Sequence, residues 1–107
     1  MLPDRSAAVF AALGDTTRLG LLRRLSAHGP LSITRLSEGT EVTRQAITRH
    51  LQALRRAGLV RDARRGRERV FALDVKRLEK ARQYLDQVAA QWDAAAARLK
   101  AFVEPST

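Results

Sequence analysis

The pattern of apolar and polar positions predicts a mainly helical chain. Before residue 60, apolar residues recur every three or four positions, which is the helical period. These stripes are Val9, Phe10 and Leu13; Leu19, Leu22 and Leu25; Ile33 and Leu36; and Ile47, Leu51 and Leu54. A glycine follows each stripe as a helix end. The helices that come after can be capped by Asp15, Ser32 and Thr43.

Two short strand-like runs follow the fourth helix, over 59–63 and 70–73, and they are joined through Arg64-Arg65-Gly66-Arg67. A short helix, a turn and a longer helix over about 32–57, followed by a hairpin over about 59–73, is the arrangement of a winged helix-turn-helix. We therefore expect one domain over 1–107. Its fold class is mainly α with a small β-hairpin, with the N- and C-terminal helices forming a dimer interface.

A long last helix is predicted over about 75–103, with Asp74 as its cap. At 1.5 Å per residue it would be about 40 Å long, too long for so small a domain to cover. Its apolar residues follow a seven-residue repeat: Leu78, Ala81, Leu85, Val88, Trp92, Ala95, Leu99 and Phe102. Part of this stripe can cover the first helix, and the rest is best covered by the same helix of a second copy. The interface residues predicted for this homodimer are Val9, Phe10, Leu13, Leu85, Val88, Trp92 and Leu99.

The chain is strongly basic: it has 20 Lys and Arg residues and 11 Asp and Glu residues, which gives a net charge of +9. The excess is local. Residues 1–74 hold 14 Arg against 7 acidic residues, whereas residues 75–107 hold 6 basic and 4 acidic residues. A polyanion is therefore the expected partner, and the C-terminal third is not the part expected to bind it.

Several classes of chemistry are excluded or disfavoured. The chain has no Cys, which excludes disulfides, thiolate metal sites and cysteine nucleophiles. His28 and His50 lie in different elements without a carboxylate at ligand spacing, and there is no glycine-rich phosphate loop. We expect no enzyme activity, no cofactor and no metal; a hard cation held across a dimer by Asp86, Asp93 and Glu104 is the weaker alternative. Without a long apolar run or a signal peptide, a cytoplasmic protein with no membrane partner is expected.

The polar face of the fourth helix carries the candidate chemistry. Arg44, Gln45, Thr48 and Arg49 lie opposite the apolar stripe and suit base edges in the major groove of double-stranded DNA. Residues expected nearer to phosphates are Thr43, His50 and Arg56. Arg65 and Arg67 flank the hairpin turn, where they can contact phosphates or the minor groove. The alternatives are a solvated helix face and a hairpin kept soluble by its charge.

Three segments carry a family resemblance. They are Ala12-Leu13-Gly14-Asp15-Thr16-Thr17-Arg18-Leu19, the run from Val42 to Val60, and Arg65-Gly66-Arg67-Glu68-Arg69-Val70-Phe71-Ala72-Leu73. Over nearly its whole length the chain resembles the ArsR family of bacterial winged-helix regulators. The resemblance implies a homodimeric transcription factor, usually a repressor, on a palindromic operator.

Many ArsR-family members bind metal ions through Cys-x-Cys in the third helix or through Asp and His in the last helix. Here the third helix reads Ile33-Thr34-Arg35-Leu36-Ser37-Glu38, and the last helix has no His. The chain thus resembles the metal-free branch, whose members have small-molecule, protein or unknown inducers. An inducer pocket near Phe10, Tyr84, Val88 and Trp92 is the alternative to a core or dimer contact there. The competing functions are a non-specific architectural nucleic-acid-binding protein and a protein-interaction module.

Overall fold

A computed structural model of the protein describes residues 4–104, and describes side chains from residue 6 onward. Its elements are α1 (Asp4–Leu13), α2 (Thr16–His28), β1 (Leu31–Ser32), α3 (Ile33–Ser37), α4 (Arg44–Arg56), β2 (Val60–Arg65), β3 (Glu68–Leu73) and α5 (Val75–Val103). The predicted fold class, a mainly α winged helix-turn-helix, is confirmed. None of the helices within 4–104 is both long and apolar enough to cross a membrane.

The predicted caps start four of the helices. Each cap side chain accepts a hydrogen bond from a backbone N–H of the first turn, which would otherwise lack a partner. The acceptors and donors are Asp15 with Arg18 at 3.0 Å, Ser32 with Arg35 at 3.1 Å, Thr43 with Ala46 at 3.1 Å and Asp74 with Lys76 at 3.0 Å.

The wing has one strand more than the sequence predicted. The sheet order is β1-β3-β2, and all pairs are antiparallel. In β1, Leu31 pairs with Phe71 and Ser32 pairs with Val70. Two residues are too few to show the period-two alternation that identifies a strand, so only tertiary pairing reveals β1. It places buried Phe71 on the central strand and joins the wing to the start of α3.

The core lies between the sheet and the four helices α1 to α4. Its fully buried side chains are Val9, Leu25, Leu36, Ile47, Leu51, Leu54, Leu59 and Val60. The predicted stripe of the second helix differs from the buried face of α2 at one position, because Leu19 is 45% exposed and Leu21 is buried with Leu22 and Leu25. Leu19 lies roughly 110° around the helix from the centre of that buried face. Spacing alone placed Leu19 in the stripe, but packing of α2 against α4 and β3 selects the other leucine.

The long helix α5 packs on α1 near its start and then leaves the rest of the molecule. The rings of Phe10 and Tyr84 lie 6.3 Å apart, and Ala81 is buried in this contact. Beyond it Leu85, Trp92, Leu99 and Phe102 are exposed to solvent, and the molecule measures 70 × 27 × 22 Å. A single copy of the chain therefore leaves most of the α5 stripe uncovered.

Candidate nucleic-acid interface

The helix α4 has one buried face and one open face. Ile47, Leu51 and Leu54 have at most 1% of their surface exposed and anchor α4 in the core. On the other side Arg44, Gln45 and Arg49 are exposed, and Thr48 is half-buried beside them. With Gln52 they line a shallow cleft of about 490 Å³. We call this set the recognition face: Arg44, Gln45, Thr48, Arg49 and Gln52.

Gln52 is the residue of the recognition face that the sequence analysis missed. It is exposed and follows Gln45 by seven residues and Thr48 by four, which places it on the same side of a helix. That spacing was the signal that could have identified it. An amide side chain can bridge N6 and N7 of adenine, so Gln52 extends the polar surface by one helical turn.

Hydrogen bonds within the protein orient two side chains of the recognition face. Thr48 donates its hydroxyl to the Arg44 carbonyl oxygen at 2.9 Å, so its methyl group is the part left for other contacts. The Arg44 Nη1 donates to Thr34 Oγ1 at 3.2 Å, which ties the guanidinium to α3. The short helix of the helix-turn-helix thus positions an arginine of the long one.

The tip of the wing carries the second group of predicted residues. Strand pairing runs as far as Arg65 opposite Glu68, which leaves Gly66 and Arg67 as a two-residue turn. Both Arg65 and Arg67 are exposed. They lie on a hairpin separate from the recognition face, as contact to a neighbouring groove or phosphate requires.

Several known proteins are similar to this chain in both fold and sequence. A family described as "Helix-turn-helix domain" matches residues 13–63. The HTH-type transcriptional regulator Rv2034 of Mycobacterium tuberculosis is 41% identical over 85 residues, which is 79% of this chain and 76% of that protein. The solved structure of an ArsR-like transcriptional regulator from Rhodococcus sp. RHA1 matches with a TM-score of 0.75 and 36% identity, covering 95% of each chain. The chain belongs to the ArsR family.

This ArsR-family protein is therefore a DNA-binding transcriptional regulator and not an enzyme, as the sequence predicted. A third relative is the solution structure of a winged helix-turn-helix DNA-binding domain from Mycobacterium bovis, described as homodimeric. It matches with 28% identity and a TM-score of 0.65, covering 82% of this chain and 80% of that one.

Two residues predicted near phosphates have different surroundings. Arg56 is exposed at the C-terminal end of α4 and borders a cleft with Ala8 and Ala11 of α1. His50 lies off the recognition face, half-buried, with Nδ1 3.7 Å from Asp15 Oδ2. The backbone N–H of Arg18 lowers the pKa of Asp15, and His50 lowers it further. His50 thus joins α4 to the cap of α2.

Several arginines of the basic half of this ArsR-family regulator have partners inside the protein. Arg61 pairs with Asp74 at 2.7 Å. The carboxylate of Asp62, 7% exposed, holds Arg55 at 3.1 Å and also Arg69. The backbone N–H of Lys76 and the Arg61 side chain lower the pKa of Asp74. Arg55 therefore connects the wing to α4 and Arg61 connects it to the cap of α5, whereas Arg69 joins the two strands of the wing.

Arg18 and Arg24 are structural as well. Arg24 donates from Nη1 to the Leu36 carbonyl at 2.7 Å and from Nη2 to the Arg35 carbonyl at 2.8 Å, at the end of α3. Arg18 donates from Nε to the Ala12 carbonyl at 2.7 Å, at the end of α1. A guanidinium at a helix C-terminus satisfies carbonyls that have no partner in the helix. Some of the arginines therefore stabilise the fold, while others remain exposed on the surface.

The residues predicted for a dimer interface differ in exposure and fall into three groups. Leu85, Trp92 and Leu99 are 44%, 63% and 61% exposed, while Phe10, Leu13 and Val88 are half-buried. Val9 is 1% exposed because its own chain covers it, so it offers no surface to a partner. Among the side chains described, those of residues 6–104, no three His, Asp or Glu groups come close enough together to hold a metal ion.

Proposed function

We propose that this ArsR-family regulator is a homodimeric repressor that reads a palindromic operator without the family's usual metal sites. The observation that carries the proposal is the recognition face, which is polar, exposed and fixed to a fully buried stripe. Arg44, Gln45, Thr48, Arg49 and Gln52 would contact base edges. Thr43, Arg56, Arg65 and Arg67 would contact phosphates or the minor groove. The place of His50 beside Asp15 favours a positioning role for that residue.

The uncovered surface of α5 supports the dimer. Trp92, Leu99 and Phe102 are each more than 60% exposed along one helix. Monomeric soluble proteins rarely leave a continuous apolar patch of this kind open to water. A second copy related by a two-fold axis would cover it with the same helix. The two recognition faces could then enter successive major grooves about 34 Å apart. A dimer bound in this way would block RNA polymerase from a promoter that overlaps the operator.

The absence of cysteine supports regulation without the family's thiolate sites. The chain has no Cys, and α5 has no His. Arsenite and related soft ions select thiolate ligands. Each protomer, one winged helix domain over 1–107, would therefore respond to an inducer other than a thiolate-bound ion.

The test is selection of bound sequences from a random DNA library at near-physiological salt, followed by affinity measurements on the selected DNA. An inverted repeat with half-sites about one helical turn apart, bound roughly a thousandfold more tightly than random DNA, is the expected result. Enrichment without a shared sequence, lost as salt rises, would instead indicate a non-specific architectural protein. Repression is checked by transcription in vitro from a promoter that overlaps the selected site.

A further inference from the structure

A second basic surface lies away from the recognition face, at the base of the wing. It is a cleft of about 540 Å³ between the end of α4, the start of β2 and the first turns of α5. Five cationic side chains line it: Arg55, Arg61, Lys76, Arg77 and Lys80. We refer to it as the wing-base cleft.

The carboxylates of the wing-base cleft are already in use. Asp74 accepts from Arg61 at 2.7 Å, and Asp62 lies 3.1 Å from Arg55 while also holding Arg69 from outside the cleft. Among the described side chains, none of the remaining three cations has a carboxylate within 4.0 Å: Lys76, Arg77 and Lys80. The cleft therefore carries an excess of positive charge that its own acidic residues do not neutralise.

Arg77 is held in place by the backbone. An alanine Cβ at Gly58 would lie 2.4 Å from Arg77 Cδ and Nε, so this side chain rests directly against the glycine. Arg77 is half-buried there, whereas Lys76 and Lys80 on the same helix are exposed. A guanidinium with a restricted position loses less conformational freedom when it binds an oxyanion, and it can do so with two parallel hydrogen bonds.

The position of the cleft separates it from the DNA contacts proposed above. Arg61 lies near the base of β2, five residues from Gly66 at the wing tip, or about 16 Å along a strand. Gly58 lies beyond the C-terminal end of α4, about 20 Å along the helix direction from Arg44. A ligand in the cleft would touch the recognition helix, the wing and the long helix α5 at once, without covering the recognition face.

We propose that the wing-base cleft binds a small molecule with two or more oxyanion groups, phosphate or carboxylate. Arg77, Lys76 and Lys80 bind the anionic groups, and Arg61 can turn to the ligand from Asp74. A volume of this size suits a metabolite-sized ligand. The site does not depend on the operator proposal, because it requires no DNA.

Calorimetric titration of the full chain with inorganic pyrophosphate, at constant ionic strength and without DNA, tests the proposal. Saturable binding is expected, and the double variant Lys76→Gln/Lys80→Gln should weaken it at least about tenfold, since each lysine is a charged hydrogen-bond donor to the anion. The matched control is Arg98→Gln/Lys100→Gln, which removes the same charge from the exposed far end of α5. It should bind pyrophosphate like the unmodified protein.

Three results would overturn the proposal. They are no saturable binding at millimolar pyrophosphate, equal weakening in both double variants, and loss of affinity for DNA in Lys76→Gln/Lys80→Gln without any binding of pyrophosphate. The second would reveal attraction to net charge alone, and the third would identify the oxyanions as DNA phosphates. Thermal unfolding of both variants verifies that they fold. Failure to select an operator would leave the pyrophosphate result unaffected, so the two proposals fail separately.

Discussion

Replacing Gly58 by alanine should destabilise the protein for two separable reasons. Gly58 has φ +80° and ends α4, where its N–H donates to the Arg55 carbonyl at 3.0 Å and the next N–H, of Leu59, donates to the Leu54 carbonyl at 2.9 Å. This pair of bonds forms a Schellman motif, which needs a left-handed residue at the glycine position. The new Cβ would also lie 2.4 Å from Arg77 Cδ and Nε.

The two costs can be given magnitudes. A non-glycine residue in the left-handed region costs about 1–2 kcal/mol, of which alanine recovers about 0.4–1 by restricting the unfolded chain. Moving Arg77 out of contact adds about 1 kcal/mol, the cost of one side chain forced from its preferred rotamer. We expect a loss of about 2 kcal/mol in the free energy of unfolding for Gly58→Ala, from these terms together.

Urea denaturation followed by far-ultraviolet circular dichroism measures the loss, at one protein concentration because association adds to stability. Gly39→Ala is the control, because Gly39 has φ +71° and its Cβ would meet nothing within 4 Å in the described structure. It should lose only the backbone part, about 1 kcal/mol. In an Arg77→Ala background, Gly58→Ala should cost about 1 kcal/mol less than it does in the unmodified protein, a coupling typical of residues in contact. Equal losses at both glycines, or a fully additive double variant, would refute the steric argument.

Three other predictions follow from the recognition face, from α5 and from the helix caps. Arg49→Ala should cost about 1–3 kcal/mol of binding free energy on the selected operator and relax the preference at one base position per half-site. Arg23→Ala, on the exposed side of α2, is the control. Equal weakening of Arg49→Ala on random DNA would contradict a base-reading role for Arg49. Leu85→Asp should give a monomer in analytical ultracentrifugation, because a charge would be buried in the helix contact; a dimer that persists would mean that α5 is not the interface. The pKa values of Asp15 and Asp74 lie below their ordinary 3.8, mainly because each carboxylate accepts a hydrogen bond from a backbone N–H. The ionised carboxylates therefore stabilise the folded protein above pH 3.8. This contribution is lost as the pH falls through the pKa values of the folded state. Each Asp→Asn variant should therefore show a weaker fall in melting temperature below pH 3.8 than the unmodified protein, and an unchanged fall would contradict the assignment.

Much of the local structure could be predicted from the sequence because its causes lie within a few residues of one another. The caps Asp15, Ser32, Thr43 and Asp74 each bond a backbone N–H two or three residues ahead, so the start of each helix is visible in the chain. The apolar stripe of α4 is equally local, and it predicted which side of the helix would be open. The predicted polar face and the observed one differ only by Gln52, whose seven-residue spacing from Gln45 was in the sequence.

What the tertiary structure decided involves residues that are distant in the chain. The pairing of Leu31 with Phe71 makes β1 a strand, and packing of α2 against α4 and β3 buries Leu21 and exposes Leu19. No local rule selects between neighbouring leucines when the opposing surface is unknown. The predicted helices were correct because hydrogen bonds inside a helix are short-range, whereas burial depends on which surface lies opposite.

The roles of the arginines show the same division. The sequence determined that the first 74 residues are strongly basic, and on that ground predicted a polyanion as the partner. Only the structure showed that Arg61 pairs with Asp74, thirteen residues away, whereas Arg49 and Arg67 have no carboxylate within 4.0 Å among the described side chains. Net charge is a sum over residues and needs no coordinates. The availability of one guanidinium depends on whether the fold brings a carboxylate or a helix carbonyl within hydrogen-bond distance of it.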